Sequence, residues 1–486
     1  MARRATIVGS GPNGLAAAVV LARAGYSVHV IEGAPTPGGG VRTLPLTAPG
    51  FRHDVCSAVH PAALSSAFFR AFGLDRIDWI VPDASFAHPL DGSRAAIAWR
   101  DLDRTVAELG DDGVAWRRVV RPLNKRVTAV AEFTGGQLLR FPPHPVTATR
   151  FALRMAELGT MAGRRLLRTF RTDEAAALFT GVVAHANSVL PSPAATASAL
   201  YLIAHAHSTG WAYPRGGASA IANALIADLE AHGGMVETGY RVTDLSALDW
   251  GDAAGGDLLL LDASPRLTLT LPGLPDRYAR AIRRYRYGPA AAKVDFALDG
   301  PVPWSNPDVA AAPTVHVGGT RAEIEASENA VAAGRHSDRP YVLVVQPSIL
   351  DDSRAPAGSQ TLWTYIHVPS GSDLDPTEAV IRQVERFAPG FRDRIVSSRA
   401  MTAAERHAFN PADIGGDILG GSFTLAQAFR RPVLSTTPWR TPIPGVYLAS
   451  ASTPPGPGVH GMPGWLAARQ ALRDAGEPAD LDDLFE

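Results

Sequence analysis

The chain has 486 residues, 46% hydrophobic and 19% charged, and 46 Lys+Arg against 47 Asp+Glu give a formal net charge of −1. That length exceeds one simple core, and the balance is that of an ordinary globular protein, which excludes a disordered chain and offers no footing for nucleic acid. The lone cysteine, Cys56, excludes a disulfide framework, a cysteine zinc cluster and the paired redox cysteines of a disulfide reductase, and it fits a reducing cytoplasm.

At the N-terminus two arginines precede an apolar run that stops at Gly9, so no signal peptide is expected. No apolar run reaches the roughly 18 residues of a membrane-crossing helix. Residues 5–8 (ATIV) read as a buried parallel strand, GSGPNG follows, and LAAAVVLARAG predicts a helix closed by Gly25. YSVHVIE is a second strand ending at Glu32. Gly9, Gly11 and Gly14 thus form a G-x-G-x-x-G turn between strand and helix, where the first glycine turns the chain, the second admits a pyrophosphate and the third permits close packing. Glu32 follows Gly14 by 18 residues, the spacing of a carboxylate that accepts from ribose hydroxyls and repels a 2′-phosphate.

Next comes EGAPTPGGGVRTLPLTAPGFRHDVCSAVHP, residues 32–61. Gly38, Gly39 and Gly40, then Arg42 and Thr43, offer more backbone and a fixed positive charge to the same pyrophosphate, which favours FAD over NAD. Residues 101–209 are helical by composition. Within them, 147–172 carries six arginines and one glutamate, with Phe151, Met155 and Leu158 on one side. This is a core-facing helix with a solvated basic face; peripheral contact with an anionic membrane is the minor alternative. HAHSTGWAYPRGG (205–217) contains His205 and His207 without a third ligand, so no metal is expected there or elsewhere. Trp211 and His60 are candidates to line a substrate cavity.

A helix with Ile221, Leu225 and Leu229 on one face precedes two strands, 235–242 (MVETGYRV) and the fully apolar DLLLLDA. Residues 286–370 read as antiparallel strands, TEAVIRQVERFAPGF as a helix and 405–445 as loop. GGDILGG (415–421) follows a loop, so no second nucleotide fingerprint is expected. GVYLASAS is the last strand. GPGVHGMPGWLAARQAL (456–472) is a glycine-rich turn running straight into a helix.

The stretches GSGPNG, Glu32, GGGVRT, GFRHDV and GVYLASASTPPGPGVHGMPGW, in this order and spacing, resemble the flavin-dependent amine oxidase and phytoene desaturase superfamily, its phytoene-dehydrogenase-like branch above all. The resemblance is specific over 5–61 and 440–472 and extends to 213–265; it carries no residues across in 101–209. It implies an α/β flavoprotein of the two-dinucleotide-binding-fold type. A Rossmann-like FAD domain would comprise 1–90, 210–285 and 435–486. An α+β substrate domain with an antiparallel sheet would comprise 91–209 and 286–434. It further implies that the turn Gly458, Val459, His460, Gly461 and Met462 sits at the isoalloxazine end of noncovalent FAD. The expected cofactor set is Gly9, Ser10, Gly11, Pro12, Asn13, Gly14, Glu32, Gly39, Gly40, Arg42, Val242, Gly458, Val459, His460 and Met462. Gly40 stands where many relatives carry arginine, Ala451 where amine oxidases often carry an acid, and Pro454 where carotenoid desaturases often show histidine. His460 is expected to pack rather than to bond the flavin covalently.

The implied activity is oxidation or desaturation of an apolar or partly apolar small molecule by hydride transfer to flavin N5, with oxygen or a quinone as acceptor and no assigned catalytic base. The alternatives are an amine or amino-acid oxidase, and a non-catalytic lipid escort protein on the same fold.

Overall fold

The computed structural model describes residues 3–485. Two sheets organise it. The first has five parallel strands in the order Val446–Leu448, Leu258–Leu261, Arg4–Val8, Ser27–Glu32 and Met235–Thr238. Its central register sets Ala5 opposite both Leu258 and Val28. Leu258–Leu261 is buried throughout, as a four-leucine run in a parallel sheet covered on both faces must be. Each such side chain contributes about 2 kcal/mol of apolar burial. The predicted strand 235–242 shortens to Met235–Thr238 and forms a largely exposed edge.

Three helices close over this sheet. Pro12–Arg23 starts with proline at its first position and ends before Gly25. Ser219–Ala231 packs beside it through Ile221, Leu225 and Leu229, the face expected from their spacing. The third, Met462–Asp474, comes from the far end of the chain and crosses Pro12–Arg23 with backbone in contact. A Cβ on Gly464 would lie 1.8 Å from the Asn13 carbonyl oxygen, so only glycine fits the crossing. Ala16, Ala17, Ala467, Ala468 and Ala471 are all buried in the same core, and small residues let the helix axes approach.

The second sheet has seven strands in the order Ile395–Met401, Ala290–Leu298, Gln360–Val368, Val342–Val345, Thr314–Val317, Ala84–Leu90 and Arg94–Trp99. All its pairings are antiparallel except Thr314–Val317 with Ala84–Leu90. Alternation sorts the side chains: Val342, Val344, Leu362 and Ile366 enter one core, while Leu343, Val345, Trp363 and Tyr365 face the helices of the 102–206 region. The antiparallel strands expected over 286–370 therefore form, but the sheet also recruits the hairpin 84–99 and the strand 395–401. The domain edge expected at residue 90 falls at the end of a strand that already belongs to this second sheet, so the chain leaves the nucleotide-binding sheet before residue 84.

Residues 147–172 fold not as one helix but as Pro145–Gly159 and Met161–Leu167, parted at Thr160, whose extended backbone lets its hydroxyl cap the second helix. Phe151 and Leu158 are buried as expected, while Val146 and Leu153 are exposed. The region 405–445 is loop for the most part, but the helix Ala403–Phe409 opens it, fixed by a capping box between Thr402 and Glu405.

Candidate functional site

A cavity of about 680 Å³ lies where the glycine turns of the first sheet meet the helix-facing side of the second. Gly9, Gly11, Pro12, Asn13, Glu32, Gly39, Gly40, Arg42, Val242, Gly458 and Val459 all line it. Residues expected from three separated parts of the chain thus share one wall.

The glycine turns nest. Gly38 donates from its backbone to the Ser10 carbonyl and to Ser10 Oγ, and a Cβ on Gly39 would stand 2.8 Å from Gly11 Cα. The second glycine cluster is therefore packed onto the first. Ser10 lies behind the cavity wall rather than in it. Its backbone N–H and its hydroxyl both donate to Glu32 Oε2, at 3.0 and 2.6 Å, and Ala34 N–H donates to Oε1 at 2.8 Å. The Glu32 carboxylate is held at the strand end with acceptor capacity left for a hydroxyl.

Arg42 is 5% exposed, and among the described residues its one side-chain hydrogen bond runs from Nε to the Gly39 carbonyl. Its guanidinium lies 4.2 Å from the centroid of the Phe409 ring. Desolvation lowers its pKa, opposed by the Coulombic attraction of Cys56 and Glu32. A buried cation with no paired carboxylate, beside two glycine turns and the N-terminus of a helix, suits an anionic ligand such as a pyrophosphate.

Gly14 also lies behind the wall, and the reason is a residue the motif reading missed. Asp262, at the end of the four-leucine strand, accepts from Gly14 N–H at 2.8 Å, and its carboxyl would be 2.5 Å from a Cβ on Gly11. Desolvation pushes the Asp262 pKa up to about 7, with the Gly14 hydrogen bond opposing and the charge of Glu32 assisting. The available signal was the acid closing an otherwise wholly apolar strand.

A second cavity of about 530 Å³ opens beside the first, with Ser198 and Pro457 lining both. Phe133, Phe151, Met155, Phe423, Met462 and Trp465 make its wall largely apolar. His460 and Met462 line this second cavity, not the first. His460 is 7% exposed, its Nδ1 accepts from Met462 N–H at 3.2 Å, and its carbonyl accepts from Ser66 Oγ at 2.5 Å. Desolvation pushes its pKa down to about 4, so the ring is neutral and shapes the start of the terminal helix.

Two substrate-lining expectations are corrected. Trp211 is fully buried, donates from Nε1 to the Leu202 carbonyl and packs 4.7 Å from the Phe86 ring, inside the helix–sheet core. His60 is 2% exposed, bonded through Nδ1 to Ser57 Oγ and edge-on to Trp79. Neither residue lines either cavity, because both are taken up in joining elements rather than in facing a void. His205 and His207 bond Ser65 Oγ and the Trp99 carbonyl, and no metal-holding cluster occurs among the described residues.

This arrangement is a Rossmann-like fold with an adjoining apolar chamber. A family profile described as "NAD(P)-binding Rossmann-like domain" matches residues 7–72. Over 97% of this chain and 93% of the relative, the sequence is 24% identical to pyridine nucleotide-disulfide oxidoreductase domain-containing protein 2 of Rattus norvegicus. It is 27% identical to the phytoene dehydrogenase of Streptomyces griseus over 93% and 91% of the two chains. Among solved structures, a triple mutant of putrescine oxidase superposes with a TM-score of 0.61 at 14% identity, covering 98% of this chain and 99% of the other. Its sequence is similar to phytoene dehydrogenases and its fold to flavin amine oxidases, relatives that together form the flavin amine oxidase and phytoene desaturase superfamily. Among the described residues no helix is long and apolar enough to cross a membrane.

Proposed function

We propose that the protein is an FAD-dependent oxidoreductase acting on an apolar or partly apolar small molecule. One observation carries the reading: Gly11, Gly39 and Gly458 line a single cavity that adjoins a second, largely apolar one. The residues present fit FAD. The amides around Gly9 and Gly11 and the buried Arg42 guanidinium would hold the pyrophosphate, Glu32 would accept from the ribose, and the Gly458–Val459 turn would meet the ring. When bound, FAD would supply acceptance of a hydride from a substrate C–H bond, and loss of a proton from the neighbouring C–H, N–H or O–H to solvent would complete the C=C, C=N or C=O of the product. Oxygen or a quinone would then take the electrons on.

The chain's own contribution is orientation. Only glycine lets backbone approach a flat ring closely, and the N-terminus of helix Met462–Asp474 adds positive potential beside that turn. His460 holds the turn, its Nδ1 accepting from Met462 N–H. Rings from the Phe133, Phe151 and Phe423 positions would keep water from the reacting carbon.

An amine or amino-acid oxidase is the second reading, supported by the fold shared with putrescine oxidase. A lipid escort without chemistry is the third. The deciding experiment is the visible absorption spectrum of the purified protein, followed by anaerobic bleaching with amines, polyenes and lipids in parallel. Flavin bands bleached by an apolar compound support the proposal. Bleaching by amines with peroxide release supports the oxidase, and a colourless protein that takes up no FAD overturns both.

A further inference from the structure

The larger cavity contains a second buried cation, Arg406, to which the cofactor assignment above gives no role. Arg406 sits on the helix Ala403–Phe409, is 2% exposed and lines the cavity on the side of Trp363 and Tyr365. Its Nη1 donates to Cys56 Sγ at 3.3 Å. Its nearest carboxylate, Asp413, stands 3.7 Å away, too far for a hydrogen bond, and accepts instead from Asn410 Nδ2. Burial raises the pKa of the Asp413 carboxyl against the attraction of Arg406. Arg406 Nε has no acceptor.

Trp363, 6% exposed and lining the same cavity, likewise leaves its indole N–H without an acceptor. The third buried cation nearby, Lys293, is already satisfied: its Nζ donates to both oxygens of Asp295 and to the Asp54 carbonyl. Arg406 and Trp363 are donors only, and neither can accept a hydrogen bond. The same cavity is lined by apolar Val59, Leu202, Ala291, Leu343 and Ile418 as well as by the polar neighbours of Arg406, Cys56, Tyr365 and Asp413. Native structures rarely leave buried donors unpaired, and a charged one is the costliest to leave. The unmet requirement is for an acceptor, and a guanidinium prefers a planar anion.

We propose that the substrate is an apolar molecule ending in a carboxylate, and that Arg406, assisted by Trp363 Nε1, is the specificity-determining residue that binds it. This rests on the oxidoreductase reading above and names its substrate class, with the head group in the larger cavity, which meets the apolar one at Ser198 and Pro457. A cationic amine would meet Arg406 as a like charge, which sets the proposal against the amine oxidase alternative.

The test is calorimetric titration of the FAD-loaded protein with decanoate and with decan-1-ol, which share a chain and differ in the head group. Wild type is expected to bind decanoate about tenfold or more tightly than the alcohol. Arg406→Met should weaken decanoate by about tenfold and leave decan-1-ol unchanged, while Arg406→Lys should restore part of the preference. Should Arg406→Met not fold, Trp363→Phe removes the second donor, and decanoate alone should weaken. Equal binding of the two probes by wild type, failure of decanoate to bind, or a preference that survives Arg406→Met and Trp363→Phe would overturn the proposal. The visible spectrum taken before titration separates the two readings. A flavin-free protein that still prefers decanoate through Arg406 fails the redox reading alone, and a flavin-loaded protein without the preference fails this one alone.

Discussion

Asp262 accepts a hydrogen bond from the backbone N–H of Gly14 at 2.8 Å, at the start of the helix that follows the glycine fingerprint. Its pKa rises to about 7 because desolvation disfavours the charged form. The folded protein therefore holds a proton here that the unfolded chain releases near pH 4. This contribution to stability is full below that pH and is lost as pH rises through about 7. Asp262→Asn keeps an acceptor for Gly14 but removes the titration. The stability of wild type relative to Asp262→Asn, from urea unfolding of flavin-free protein, should fall by on the order of 2 kcal/mol between pH 5 and 8. A constant difference would contradict the assignment.

Histidines act in the opposite direction and are more numerous. His60, His88, His205, His207 and His460 are pushed down to about 4, and His53 and His185 to about 3, in each case chiefly by desolvation. Each is neutral when folded and gains a proton on unfolding below about pH 6.5, so each withdraws stability as pH falls from there toward its folded value. Wild type should be less stable to urea at pH 5 than at pH 7.5, with an acid unfolding transition that titrates above the usual carboxylate range. Equal midpoints at the two pH values would show these rings to be accessible.

Arg42 should separate cofactor affinity from stability. Arg42→Met removes a buried cation with no paired carboxylate, so the flavin-free protein should melt at the same temperature or higher. FAD affinity, read by quenching of flavin fluorescence, should drop about tenfold or more. Loss of stability with unchanged FAD affinity would assign Arg42 to the scaffold.

The crossing at Gly464 predicts that the two ends of the chain fail together. Gly464→Val forces a side chain into the Asn13 carbonyl and should cost several kcal/mol, about 3 or more, with loss of FAD binding. Gly136→Ala, where a Cβ meets nothing within 4 Å, should be neutral in thermal melts.

What the sequence disclosed follows from where each constraint resides. The turn at Gly9, Gly11 and Gly14, Glu32 and the terminal Gly458 turn are local patterns, legible because backbone geometry dictates residue type within a few positions. Asp262 is marked in the sequence only as an acid closing an apolar strand; that it lies under Gly14 is a tertiary fact. Trp211 and His60 are ambiguous for the converse reason, since a large or polar side chain looks the same in sequence whether it faces a cavity or a core. The hairpin 84–99 joins the second sheet through Val315 opposite Ala87, a pairing between distant residues that periodicity cannot reveal. Arg406 lay in a stretch that composition marked as loop, and its burial exists only in three dimensions.

The central claim is that turns from both ends of the chain meet one extended FAD. Amide hydrogen exchange across an FAD titration tests it most directly. The account predicts slowed exchange in residues 9–14 and in residues 456–464 with a single apparent Kd. Protection confined to 9–14, with the terminal turn unchanged at saturation, would contradict it.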